Sequence, residues 1–247
     1  MKTVTITIPV LNEEETLREQ ISKAHRFIRD ELSDLGSIGL LIADNGSHDQ
    51  TRQIGQALAN ELDGVSFLRV SHRGVGLALK ESWNQSTSDI VGYMDLDLAT
   101  DLRHLRQALT PLIADDADVV TGSRLLPQSR VINRSPMRAI VSRIFNAMLS
   151  TYLGVKFSDG MCGFKFLQRK HFARLRALGA KSDGWFFATE LLVCAEAENL
   201  RVVDLPVQWT DDPKSKAKIG KLAVEYLKAM RALKLDLKQR KSDQAGA

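Results

Sequence analysis

Residues 89–97 read Asp89-Ile90-Val91-Gly92-Tyr93-Met94-Asp95-Leu96-Asp97, an apolar run that ends on two carboxylates two positions apart. The run has the length and composition of a buried strand. Off an extended chain, side chains at i and i+2 point the same way, so Asp95 and Asp97 repel each other unless a cation lies between or beside them. Mg2+ or Mn2+, held by one or two carboxylates together with substrate phosphates, meets that need. Taken alone, the pair is equally well a strand end with two solvated acids, followed by Asp101 as a helix cap. Its surroundings shift the balance.

Working outward, strands and helices alternate. Thr3–Ile8 is a compact β-branched run stopped by Pro9. Asn12 is a good cap for a helix that opens on three glutamates and continues through Leu17, Ile21, Ala24 and Ile28. A strand over Gly39–Ala43 ends at Asp44-Asn45-Gly46-Ser47, before a helix from Asp49 to Leu62. Val65–Val70 and Asp118–Gly122 are further strands, Gly74–Gln85 a helix, and Asp101 caps another helix to about Ala114. Such alternation predicts an α/β fold with a mainly parallel, Rossmann-like sheet covered by helices on both faces. Ligands of these sheets bind at the carboxyl ends of the strands. The four polar clusters Pro9 to Glu13, Asp44 to Ser47, Arg73 to Gly76 and Asp95 to Asp97 all fall at those ends.

The composition leaves ample room for a core. Of 247 residues, 44% are hydrophobic and 26% charged, which excludes collagen, low complexity and wholesale disorder. No apolar stretch approaches the ~18–20 residues of a bilayer span. The N-terminus runs straight into a strand with no signal core, so a cytoplasmic protein is expected. Cys162 and Cys194 are too few for a disulfide framework or a cysteine zinc site. Charge is segregated by sign. Residues 1–121 hold eleven basic against nineteen acidic side chains, residues 122–176 eleven against the single acid Asp159, and residues 214–241 ten against two. An anionic partner is expected near the two basic stretches. Nucleic acid ranks last among the candidates: no stacking aromatics interleave with the charges, and the acidic first half would repel a backbone.

A carboxylate at Asp44 can accept hydrogen bonds from a ribose or base edge, although taken by itself an Asx turn explains it better. Arg73-Gly74-Val75-Gly76 opens a helix whose free N–H groups can face a phosphate, but neither the dinucleotide fingerprint nor the P-loop is present. Here a family resemblance enters. Ile8-Pro9-Val10-Leu11-Asn12-Glu13-Glu14, Asp44-Asn45-Gly46-Ser47, Arg73-Gly74-x-Gly76-x-Ala78 and Met94-Asp95-Leu96-Asp97 resemble, in order, the motifs of family-two glycosyltransferases with the GT-A fold. Gly122-Ser123-Arg124, Asp159-x-x-Cys162-Gly163-Phe164-Lys165, Trp185-Phe186-Phe187-x-x-Glu190-Leu191-Leu192 and Val207-x-Trp209-x-Asp211-Asp212-Pro213-x-Ser215-Lys216 are similar to its polyprenyl-phosphate hexose synthase branch.

The resemblance implies a catalytic domain over residues 1–212, with a nucleotide-sugar half (1–121) and an acceptor half (122–212). Residues 213–247 would follow as a donor-closing loop, a basic amphipathic helix and a polar tail from Arg240. It implies that Pro9, Leu11, Asn12, Glu13 and Gly74 line the nucleotide pocket, that Asp44 holds the base or ribose, and that Lys216 closes over the donor with Ser215. Asp95 and Asp97 would hold the metal, Ser123 and Arg124 face the reaction centre, and Arg124 and Arg138 bind the acceptor phosphate. Ala99 stands where mannose-type members carry Gln, so Asp-Leu-Asp-Leu-Ala-Thr looks more like the glucosyl type. Ala188 stands where the branch often has Asp.

The implied reaction is an inverting hexose transfer from a UDP- or GDP-linked sugar to a polyprenyl phosphate at the inner face of the membrane. A lipid phosphate is already ionised near neutral pH and needs charge compensation, whereas a sugar hydroxyl needs a positioned base. Five arginines and no acid over residues 124–143 suit phosphate oxygens, or else form a solvated basic face. Glu190 is either the base for a soluble hydroxyl acceptor or a buried carboxylate paired with an arginine. None of the five histidines has catalytic or metal spacing. A non-catalytic sugar-nucleotide-binding module is the reading from another class, and it would tolerate Asp97→Ala. From Ala217 to Lys238, Ile219, Leu222, Ala223, Tyr226, Leu227, Met230, Leu233 and Leu237 form a stripe that fits an anionic membrane surface or the protein's own core equally.

Overall fold

The computed structural model describes residues 1–211 and 219–245, with side chains described over 225–239 of the second stretch. Ser215 and Lys216 of the expected donor-closing loop lie outside the described residues. In chain order the elements are β1 (Thr3–Val10), α1 (Leu17–Glu31), β2 (Ser37–Asp44), α2 (Thr51–Glu61), β3 (Val65–Arg69), α3 (Val75–Gln85), β4 (Ile90–Met94), α4 (His104–Ile113) and β5 (Val119–Ser123). There follow β6 (Arg130–Ile132), α5 (Pro136–Leu153), β7 (Phe164–Gln168), α6 (Phe172–Leu178), α7 (Phe187–Ala197), β8 (Val202–Pro206), β9 (Gln208–Thr210) and α8 (Ile219–Ala245).

Seven strands form one sheet in the order β3-β2-β1-β4-β7-β5-β8. All pairs are parallel except those of β7, which runs antiparallel between β4 and β5. Phe166 lies opposite Gly92 in that pairing, and a Cβ on Gly92 would overlap the Phe166 ring. Parallel β6 and β9 make a second small sheet.

Two apolar layers sandwich the large sheet. On one face Leu17, Ile21, Ala24 and Ile28 of α1 pack with Leu105, Leu109 and Leu112 of α4 against Ile6 and Ile8. On the other, Trp83 of α3 packs among α5, α6, α7 and α8. Its Nε1 donates to Thr7 Oγ1 at 3.2 Å, and its ring meets Phe172 edge-on at 5.3 Å. Each large apolar side chain so buried contributes ~1.5–3 kcal/mol.

Two expectations need correction. α1 begins at Leu17, and Asn12 caps nothing: it sits at φ 55°, a conformation asparagine tolerates, and accepts from His48 N through Oδ1 at 2.9 Å. The expected polar tail is helical as far as Ala245. In α8, Tyr226, Met230 and Leu233 of the stripe are buried among residues of α5, α6 and α7, whereas Leu227 is 49% exposed.

Candidate active site

The parallel register lays the ends of β1, β2 and β4 side by side. Val10 pairs with Asp44 and Thr7 with Tyr93, which brings Pro9 to Glu13, Asp44 to Ser47 and Asp95 to Asp97 to one edge of the sheet. The first two clusters are cross-linked. Asn12 N donates to Ser47 Oγ at 2.9 Å and Glu13 N to Thr51 Oγ1 at 2.7 Å. Asp44 is fully buried; its Oδ1 accepts from Ser47 N at 2.9 Å, closing a turn, and its Oδ2 from Arg69 Nη1 at 3.1 Å. Pro9, Leu11 and Glu13 are half-buried along this edge, and Asn12 is exposed.

Asp95 leaves β4 with its N–H donating to the Gly163 carbonyl at 3.2 Å. A Cβ on Gly163 would occupy the space of the Asp95 carboxylate, so the glycine makes room for it. Asp95 Oδ1 is buried without a hydrogen-bond partner among the described residues. Burial, and then the charge of Asp97, push the Asp95 carboxyl up to about 7, against the pull of Lys165 and Arg124. Asp97 Oδ1 accepts from Ala99 N at 3.0 Å. An orphaned buried carboxylate oxygen beside a second carboxylate fits a hard divalent cation such as Mg2+ or Mn2+. No group of three or more His, Cys, Asp or Glu suited to a metal occurs among the described residues.

Behind the pair lies a buried ionic cluster. Arg124 clasps Asp159 with both ends of its guanidinium, Nε to Oδ2 at 2.7 Å and Nη2 to Oδ1 at 3.0 Å. The two side chains are 8% and 0% exposed. Burial pushes the Asp159 carboxyl up, but Arg124 more than reverses this and holds it below the usual carboxylate range. Lys165, on the central strand β7, donates to the Cys162 carbonyl, and burial lowers its pKa. Ser123 is fully buried and exchanges a 2.6 Å hydrogen bond with Ser158, so its hydroxyl is spent inside the fold.

β9 carries the outer wall. Thr210 N donates to Ala99 O at 2.8 Å and Asp101 N to Gln208 O at 3.0 Å, which fixes Trp209 beside the Asp95–Asp97 turn. Arg124 and Arg134 lie over the Trp209 ring at 5.2 and 5.4 Å. Arg134 is half-buried, and its Nε is buried with no partner among the described residues. Arg138, in the first turn of α5, donates from Nη1 to both oxygens of Asp211 at 2.8 and 3.0 Å. Of the five arginines, Arg130 and Arg143 are exposed; the other three build this wall.

Two sequence readings do not survive. Gly74 and Gly76 leave no open cradle at the start of α3. Gly74 N donates to Asn45 Oδ1 at 2.5 Å, Leu77 N donates to Asp183 O at 3.1 Å, and Cβ atoms on either glycine would overlap the 182–184 backbone. The glycines let loop 181–184 close on the helix. Among the described residues Glu190 has no arginine partner. Its Oε2 accepts from Lys181 N and Ser182 N, both at 2.8 Å, and its Oε1 from the Ser182 hydroxyl. Burial raises its pKa. Lys80 grips the same loop through Lys181 O at 2.8 Å and the Asp183 carboxylate. Lys165, Trp209 and Asp159 stood within motifs, and Arg134 within the arginine stretch, but none was given a site role from sequence. A usable signal did exist for Asp159, the one acid among eleven bases.

Residues 5–176 match the family described as Glycosyl transferase family 2. The glycosyltransferase AglD of Haloferax volcanii is 32% identical over 221 residues, 87% of this chain, which spans about a third (34%) of that protein's length. The dolichyl-phosphate beta-glucosyltransferase ALG5C of Trichomonas vaginalis is 26% identical over 235 residues, 90% of this chain and 69% of its own. Among solved structures, glucosyl-3-phosphoglycerate synthase from Mycobacterium tuberculosis, in complex with Mn2+, UDP-glucose and phosphoglyceric acid, superposes with a TM-score of 0.68 at 18% identity. That superposition covers 96% of this chain and 80% of the other, and it bears on the fold alone. With its mostly parallel sheet, flanking helices and paired carboxylates at the strand ends, the chain belongs to glycosyltransferase family 2.

Proposed function

We propose that the chain transfers a hexose, most simply glucose, from a UDP- or GDP-linked donor to the phosphate of a polyprenyl lipid of the dolichyl type, acting at the cytoplasmic face of a membrane. The observation that carries this reading is Arg134: a half-buried guanidinium whose Nε–H meets no partner among the described residues, lying over Trp209, which bridges to Thr100 just after the carboxylate pair. Such a donor is suited to a phosphate oxygen. Glu190, the candidate base for a hydroxyl acceptor, has both oxygens committed to loop 181–182. The names of the Trichomonas and mouse relatives, both dolichyl-phosphate beta-glucosyltransferases, support the same acceptor. No described helix is long and apolar enough to cross a membrane.

In this reading an acceptor phosphate oxygen attacks the anomeric carbon. The bond from that carbon to the nucleoside diphosphate breaks, and its electron pair leaves with the diphosphate; the configuration inverts. Arg134 and Trp209 orient the incoming phosphate, while the Arg124–Asp159 pair fixes the wall behind them. Asp95 and Asp97 would hold the divalent cation, which when bound supplies positive charge against the leaving diphosphate. Pro9, Leu11, Asn12, Glu13 and Asp44 form the edge where the nucleoside sits, and Lys216 is proposed to cover it.

The test is nucleoside-diphosphate release from a panel of UDP- and GDP-sugars with Mn2+ or Mg2+, with and without short polyprenyl phosphate, followed by lipid extraction. Label should enter the lipid fraction and be abolished by Asp97→Ala, with Arg134→Ala raising KM for the lipid more than for the donor. Donor turnover that never labels lipid would overturn the acceptor assignment.

A further inference from the structure

Helix α5 turns its more apolar side away from the protein. Its buried face carries Ser142, Phe145, Asn146 and Leu149. On the opposite face Met137, Ile140 and Ile144 are 64%, 50% and 56% exposed. With half-buried Met148 they follow the three-and-four spacing of one helical stripe. Helices on soluble surfaces show the reverse arrangement, and a contiguous exposed apolar stripe marks an interaction surface.

Two other elements extend the patch. Ile144, Trp185 and Leu227 are the exposed sequence neighbours of Phe145, Phe186 and Tyr226. Those three rings meet at 5.1, 5.2 and 6.5 Å, so one aromatic cluster brings three elements to the surface together. Trp185 and Leu227 are each 49% exposed. Trp185 follows directly on loop 181–184, which Glu190 and Lys80 clamp in place. Beside it, Arg143, Lys228 and Arg231 are exposed, against the exposed acids Glu225 of α8 and Asp183, the latter paired with Lys80.

Aliphatic side chains with one rigidly held tryptophan, beside exposed arginine and lysine, match a bilayer interface. There apolar groups enter the acyl boundary, tryptophan sits at headgroup level and cations face anionic lipid. We infer that the outer face of α5, with Trp185 and Leu227, seats the protein on an anionic lipid bilayer. The stripe begins at Met137, between Arg134 on Trp209 and Arg138 on Asp211. A phosphate bound at that wall therefore has its hydrocarbon chain beside the stripe, in the membrane. This second step rests on the acceptor proposed above; the seating itself does not.

The experiment is co-sedimentation of the whole chain with vesicles of phosphatidylcholine alone and of phosphatidylcholine with phosphatidylglycerol. Binding is expected with the anionic vesicles, weakened by salt, and reduced at least about tenfold in Ile140→Asp/Ile144→Asp, since two aliphatic contacts with the acyl boundary are lost. Val203→Asp, at an exposed apolar position on the edge strand β8, should bind as wild type. The double variant should still transfer label to detergent-dispersed polyprenyl phosphate while losing transfer to vesicle-embedded acceptor. Wild-type transfer in detergent without vesicle binding would overturn the inference and leave the proposed function standing. Vesicle binding without transfer in either form would do the opposite. A lipid-free dimer that the double variant converts to monomer would assign the patch to a second copy and overturn the inference.

Discussion

Asp95 and Gly163 share one small volume, and that exclusion is the most exacting feature of the site. A methyl group at residue 163 overlaps the Asp95 carboxylate, so Gly163→Ala must rotate the carboxylate away from its position beside Asp97. A displacement of about 1 Å costs on the order of a hundredfold in rate. Steady-state kinetics should show kcat falling by about that factor, with Mn2+ titration showing weaker apparent affinity. The titration of Asp95 sets a pH signature. Its carboxyl lies at about 7 in the fold, above the ordinary 3.8 of an unfolded chain. Between about pH 4 and 7 the folded state therefore holds a proton that the unfolded state has lost, and stability falls as pH rises through that window. Thermal melts of metal-free protein should show Asp95→Asn raising Tm above pH 7 and leaving it unchanged below about pH 4. A cation binds the ionised form, so apparent Mn2+ affinity should weaken about tenfold per pH unit below 7. The spacing of Asp95 and Asp97 made the pair visible in sequence. It could not show that the glycine four residues after Asp159 exists for Asp95, because that contact spans 68 positions of chain.

At the scale of elements, β5 is tied to the β8 edge by Asp118. Its Oδ2 accepts from Arg201 N at 2.9 Å and Nε at 3.0 Å, its Oδ1 from Arg201 Nη2 at 3.0 Å, and His171 Nε2 lies 3.2 Å away. The Arg201 hydrogen bonds hold the Asp118 carboxyl well below the ordinary carboxylate range. That stabilisation is complete above the unfolded value near 4 and is lost as pH falls toward the folded one. Asp118→Asn should cost about 2 kcal/mol at pH 7 in denaturant melts, and the difference should shrink steadily below pH 4. The alternation of strand and helix periods made β1 through β5 and their helices legible within a few residues. Strand β7 was not legible as an antiparallel insertion. After α5 the chain passes Asp159 and Gly163 at the carboxyl edge, so a strand entered from there must run the other way. Its best local signal was Gly92, whose missing side chain admits Phe166. Gly74 and Gly76 show the converse failure: a helix-opening glycine pair suggested a phosphate cradle, but the nearest occupant is the protein's own loop 181–184.

For the whole molecule, the segregation of charge along the chain becomes a division of space. The acidic first half builds the edge with Asp44, Asp95 and Asp97, and the basic stretch 122–176 supplies the wall facing it. The lone acid in that stretch, Asp159, is the partner that lets Arg124 be buried; an unpaired charge there would cost several kcal/mol. The choice between phosphate and hydroxyl as acceptor is the claim on which the rest depends, and one comparison tests it directly. Initial rates should be measured for wild-type protein with labelled nucleotide sugar and Mn2+, offering the same short polyprenyl chain as its phosphate and as its free alcohol. Transfer to the phosphate alone is the predicted result, unchanged in acceptor choice by Glu190→Gln. Transfer to the alcohol or to a soluble sugar hydroxyl, abolished by Glu190→Gln, would contradict the account.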